Sequence, residues 1–113
     1  QADVILLAFP WQLEMPEAVH RNDLLLYANA TSSSGPEMTW SMFAINWLDL
    51  GEYVNAMQYF NRSFVSIQSP FKIWTETASG GGTVNFITGA GGYLQSFIFG
   101  FGGLRLYDTY LLV

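Results

Sequence analysis

The chain has no cysteine and a single histidine, His20, in 113 residues. Disulfides, thiolate metal sites and a cysteine nucleophile are therefore excluded, and one imidazole is too few to assemble a zinc site or a Ser-His-Asp triad. Positive charge is equally scarce. Arg21, Arg62, Lys72 and Arg105 stand against nine acidic residues, for a net charge of -5, and no basic cluster exists to hold a nucleic acid backbone. Only 12% of the residues are charged, while half are apolar and 17% aromatic. So little polar surface predicts that some faces are covered by further polypeptide, because soluble monomers rarely expose large apolar patches. The opening Gln1-Ala2-Asp3, without an initiator Met or a basic stretch, reads as neither a signal peptide nor a natural start. Absence of cysteine leaves the compartment open.

What is present is helical periodicity. A short apolar element ends at Pro10, and Met15-Pro16 introduce a helix to about Asn29, with Glu17 favourably placed near the positive end of its dipole. After a loop at Thr31 to Gly35, a second helix is expected from Pro36 toward Leu50. Trp40, Phe43, Ala44, Trp47 and Leu48 recur in it at the spacing of one apolar stripe, and Gly51 is placed to end it. A third, from about Glu52 to Ile67, repeats the period in Tyr53, Met57, Phe60 and Phe64, with Asn55, Gln58, Asn61 and Arg62 outward. Residues 71–82 read as irregular. A fourth helix from Thr83 to about Phe99 places Phe86, Ile87, Ala90, Leu94, Phe97 and Ile98 on one side, and Gly89, Gly92, Ser96 and Gly100 as close-packing positions on another. One or two short strands follow Leu104. Burial of Trp40, Trp47, Phe60 and Phe97 is expected to need neighbouring helices, which predicts marginal stability for the chain alone.

No charge interrupts the stretch from Glu76 to Arg105, long enough to raise a membrane span. Asn85, Thr88, Gln95 and the glycines within it argue against one.

Carboxylates are the chemistry that remains, and glycoside hydrolysis needs little beyond two carboxyl groups, aromatic platforms and amides. Asp3, Glu37 and Glu76 are the candidates. Glu76 follows Trp74 and Thr75 in a non-helical, aromatic-rich segment, a setting for general acid or base work. Glu37 has a simpler reading, a first-turn acid favouring the helix dipole. His20, mid-helix beside Arg21, reads as structural, and Gly80 to Gly82 as a turn, since no Lys-Ser/Thr follows to make a phosphate loop. Two sequons, Asn29-Ala30-Thr31 and Asn61-Arg62-Ser63, are too few to signify secretion.

The order of several short motifs resembles glycoside hydrolase family 65. They are Gln1-Ala2-Asp3-Val4, Arg21-Asn22-Asp23-Leu24, Gly35-Pro36, Met38-Thr39-Trp40-Ser41-Met42-Phe43, Arg62-Ser63-Phe64, Pro70-Phe71-Lys72 with Trp74-Thr75-Glu76, and Val84-Asn85-Phe86 through Gly91-Gly92 to Leu94-Gln95. Each is weak alone; their order covers nearly the whole chain. The resemblance implies a mainly α fold, with residues 1–103 supplying the last helices of an (α/α)6 barrel and 104–113 the start of a C-terminal β domain. It also implies inverting hydrolysis of a terminal α-glucoside, such as α-1,2-linked glucose on galactosyl-hydroxylysine or a kojibiose-like sugar, with acid trehalases as near relatives.

In that scheme Glu76 matches the general base, and the general acid comes from polypeptide before Gln1. Gln1 matches a glucose-holding Gln, Trp74 lines the site, and Asn85 replaces a phosphate-holding His of the family's phosphorylases. No metal or organic cofactor is implied. The implied partners are a carbohydrate and the rest of the same polypeptide, with neither nucleic acid nor membrane. Glu37 departs from the pattern, which has a small residue there. The alternative is a non-catalytic helical domain in which the aromatic residues merely pack.

Overall fold

The computed structural model describes residues 3–113. A 3-10 turn at Asp3–Leu7 precedes four α-helices: α1 (Glu17–Ala30), α2 (Trp40–Asp49), α3 (Tyr53–Arg62) and α4 (Ile87–Gln95). A π-helical segment, Ser96–Phe101, continues α4. Strands β1 (Ile67–Gln68) and β2 (Ile73–Trp74) form one antiparallel hairpin, and β3 (Arg105–Leu106) and β4 (Leu111–Leu112) a second. The chain is thus mainly helical, with few and short strands. Among the described residues no helix is long and apolar enough to cross a membrane.

Helix α2 is the centre. Every residue from Trp40 to Trp47 is buried, so this helix is enclosed on all sides rather than along one stripe. Phe43, Ala44 and Ile45 are fully inaccessible, and Ile5, Leu24 and Ala56 reach them from the 3-10 turn, α1 and α3. Each large side chain buried this way stabilises the fold by roughly 1.5–3 kcal/mol. The helix ends as its sequence requires: Gly51 takes φ +70° and donates its N–H to the Leu48 carbonyl. Trp40 and Trp47, at 3% and 2% exposure, are therefore already covered by this chain, against the expectation that they need further helices. Phe97 is 47% exposed and does leave an open face.

Polar groups enclosed with α2 are satisfied by its neighbours. Asn46 Nδ2 donates to the carbonyls of Ile5 and Met42, and its Oδ1 lies 2.8 Å from His20 Nε2, which ties the 3-10 turn, α1 and α2 into one unit. Buried His20 is accordingly a structural residue. At the other end of α2, Arg105 pairs with Asp49 and donates to the carbonyls of Phe99 and Leu104, clasping the second hairpin to the helical body.

Two expected helices start later than their periodicity suggests. Helix α2 begins at Trp40, four residues after Pro36, because Glu37 and Met38 form a turn instead. The fourth begins at Ile87, since Val84 is bridged to Thr75 and Asn85 has φ +56°. The apolar side of the third helix also faces differently: Tyr53 and Met57 are exposed, and Ala56 and Tyr59 turn toward α2.

On the fourth helix the small residues, not the large ones, meet the core. Gly89, Gly92 and Ser96 are buried while Ile87, Leu94, Phe97 and Ile98 lie open. A Cβ at residue 92 would come within 2.3 Å of Ser41 Oγ, whereas one at residue 91 would touch nothing within 4 Å. Gly92→Ala should therefore destabilise the protein by about 1–3 kcal/mol. Gly91→Ala, in the same helical turn, should be neutral or stabilising by up to about 1 kcal/mol. Urea unfolding of the two variants beside the parent checks the contrast.

Candidate active site

Between β1 and α4 the chain folds back on itself twice. The hairpin pairs Ile67 with Trp74 and Gln68 with Ile73, and an isolated antiparallel bridge then joins Thr75 to Val84. That register sets Glu76 opposite Thr83 and Trp74 opposite Asn85. Main-chain bonds follow it, from Glu76 N–H to the Thr83 carbonyl (3.0 Å) and from Phe86 N–H to the Trp74 carbonyl (2.8 Å). Residues 77–82 close a short loop, in which Gly80 and Gly82 adopt positive φ.

The Glu76 side chain curls over this loop. Its Oε2 accepts a hydrogen bond from the Thr83 N–H at 2.9 Å, and a Cβ on Gly82 would sit 2.5 Å from that same oxygen. Glycine at 82 is thus required by both its φ of +75° and the carboxylate above it. Oε1 has no hydrogen-bond partner among the described residues. A half-buried carboxylate anchored through one oxygen, with the other available, is a geometry suited to accepting a proton from water.

Trp74 is also half-buried. Its indole N–H donates to the Ser63 carbonyl at 2.9 Å, and its ring lies against Tyr93 with centroids 5.3 Å apart. The ring thus forms the support behind the Glu76 segment. Asn85 is exposed, and its left-handed backbone is one that Asn tolerates better than most residues. Gln1 lies outside the described residues.

Glu37 is the residue that sequence reasoning placed wrongly. It does not serve the first turn of α2. Its side chain is buried, at 4% exposure, and Oε2 accepts the Ser66 hydroxyl at 2.7 Å. Its N–H donates to the Glu76 carbonyl at 2.8 Å. Burial pushes its carboxyl pKa upward, opposed by the Ser66 hydrogen bond and by the positive charge of Arg62. Ser66 itself, wholly buried, carries no motif that would have singled it out.

A cavity of about 620 Å³ opens beside this arrangement, between Asp3 and Leu6, the loop at Thr31 and Ser32, Met38 and Met42, and Thr88 on α4. That volume is of the size that holds small ligands. Asp3, the third candidate carboxylate, lines it; Glu76, Trp74 and Asn85 do not. Glu37 links the two regions, since Pro36 and Met38 on either side of it line the cavity while its amide holds Glu76.

No family model matches the chain. Over 111 residues, 98% of its length, it is 51% identical to the protein-glucosylgalactosylhydroxylysine glucosidase of Gallus gallus. The enzyme of the same name from Danio rerio is 48% identical over 94% of the chain. A kojibiose hydrolase of Mucilaginibacter mallensis is 38% identical over 94%. The chain spans 16% of the length of each of these relatives.

The raised pKa of Glu37 carries a stability consequence of definite sign. Above the ordinary carboxylate range the unfolded chain has released this proton while the folded chain retains more of it, so this contribution to stability falls as pH rises. Glu37→Gln cannot titrate. Its stability relative to the parent should therefore rise with increasing pH, as read by urea unfolding of both proteins across the weakly acidic to neutral range.

Proposed function

Because this chain is, over nearly its whole length, a relative of one segment of the family 65 glycosidases, we propose that it forms the part of an inverting α-glucosidase that carries the general base. The observation that carries the reading is the Glu76 carboxylate, anchored through Oε2 on the Thr83 amide with Oε1 left to act. Glu76 takes the proton of a water molecule as that water attacks the anomeric carbon. A second carboxyl group, supplied by polypeptide outside this chain, protonates the departing oxygen. Inversion requires the two carboxyls to stand about 6.5–9.5 Å apart, with the water between base and sugar.

The remaining assignments follow. Gln1 holds the glucose, the Trp74 ring lines the site, and Asn85, in the segment bridged to that of Glu76, joins them in binding the substrate. Asn there, in place of a phosphate-binding His, fits attack by water rather than by phosphate. In architecture, residues 1–103 are the last helices of an (α/α)6 barrel and 104–113 open a β domain. The antiparallel pair α2 and α3 and the open apolar faces of Tyr53, Met57, Phe97 and Ile98 suit such a setting. The substrate is a terminal α-glucoside, foremost glucosylgalactosyl-hydroxylysine, after the names of the relatives with 51% and 48% identity. Kojibiose, named in the relative with 38% identity, comes second, and trehalose third.

Hydrolysis of these three glucosides by the full-length polypeptide, with product anomers followed by NMR, tests the proposal. β-Glucose should appear first, and Glu76→Ala should lower turnover by about 10²–10⁴-fold. Normal turnover in that variant would return Glu76 to an ordinary loop carboxylate and favour the non-catalytic reading.

A further inference from the structure

A carboxyl group taken out of water needs partners for both oxygens. Glu37 has one. Its Oε1 is among three buried side-chain atoms without a hydrogen-bond partner in the described residues, with Gln12 Oε1 and Trp47 Nε1. Retaining so costly a group beside the proposed base calls for a reason other than stability.

The hydrogen bonds around it form a closed ring. From Glu37 Oε2 the ring passes to the Ser66 hydroxyl (2.7 Å), and from the Ser66 carbonyl to the Thr75 N–H (3.1 Å). One residue further on, the Glu76 carbonyl accepts the N–H of Glu37 (2.8 Å), which closes it. Ser66 and Thr75 are buried, and the Gln68 side chain braces both, donating to the Ser66 carbonyl and Thr75 Oγ1 at 3.2 Å each. Behind the ring, a Cβ on Gly89 would meet the Glu37 carbonyl oxygen at 2.5 Å, so α4 presses on the same backbone.

We propose that Glu37 is a positioning residue for Glu76: its amide and its carboxyl group, acting through Ser66 and Thr75, fix the main chain from which the Glu76 carboxylate reaches toward water. This inference rests on Glu76 being the base. A general base must stand within hydrogen-bond reach of its water, and displacement of about 1 Å can cost 10²-fold in rate. The ring holds residues 75 and 76 at both ends, through the Thr75 N–H and the Glu76 carbonyl. Glu37 touches no reacting atom in this scheme, and its loss acts on turnover rather than on sugar binding.

The test compares Glu37→Ala, Glu37→Gln, Ser66→Ala and Glu76→Ala in the full-length polypeptide, with kcat and KM measured on kojibiose and folding monitored by thermal unfolding. Glu37→Ala should lower kcat by about 10²-fold while KM changes by less than about twofold. Glu37→Gln retains an acceptor for the Ser66 hydroxyl and should stay within about threefold of the parent in kcat. A parental kcat in folded Glu37→Ala, or a loss confined to KM, would overturn the inference, as would a Glu37→Gln variant that folds yet is as impaired as the alanine variant. Should Glu37→Ala fail to fold, Ser66→Ala decides: it should lose at least about tenfold in kcat, and an unchanged kcat would overturn the inference. Glu76→Ala separates the two levels. If it is inactive while Glu37→Ala is normal, only the positioning role falls; if Glu76→Ala is itself fully active, the base assignment falls and takes the positioning role with it.

Discussion

Enclosure of α2 is the constraint from which the rest of the structure follows. A helix buried over Trp40 to Trp47 brings Ser41, Asn46 and a row of peptide groups inside with it, and every side must be met by another element. Its neighbours differ in how closely they can approach. The 3-10 turn and α1 meet it through Ile5, Leu24 and the His20–Asn46 hydrogen bond, and α3 through Ala56 and Tyr59. The fourth helix and its π-helical continuation approach through glycines, because Gly92 and Gly100 present backbone where side chains would collide with Ser41 and Leu48. That approach sets the depth of α4, and with it the place where the bridged segment ahead of α4 can lie.

The proposed base is therefore positioned from two directions. Residues 75–76 are paired to 83–84 on one side and bonded to Ser66 and Glu37 on the other. The loop that carries Glu76 is irregular in dihedral terms, yet its stem has hydrogen bonds on both edges, as a strand within a sheet would. Gly80 to Gly82 lie in the loop, where positive φ at Gly80 and Gly82 lets the chain fold back onto the carboxylate.

Periodicity made the helices legible, and the motif order is what singles out Glu76 as the proposed base. The stop at Gly51, the structural role of mid-helix His20 and the close-packing glycines of α4 were readable, whereas the single apolar stripe expected of α2 understates a helix buried on every side. The starts of the second and fourth helices were not readable, because a side chain's pull into tertiary contacts is invisible to local pattern. Glu37 shows why: an acid directly after Gly-Pro suits a first helical turn, but burial against Ser66, 29 residues away, competes with that and wins. The same limit hid which face of α3 turns inward. Tyr53 and Met57 fit the expected stripe, but Ala56 and Tyr59 are the residues that face α2.

Closure of the ring through residues 37, 66 and 75–76 also bears on how the chain can change over generations. The ring's one link between side chains, Glu37 to Ser66, joins residues 29 apart, so a substitution at either alters what is tolerable at the other. Drift in this part of the molecule should proceed by paired replacements, whereas the solvent-facing tip at Ala78 and Ser79 can vary one residue at a time.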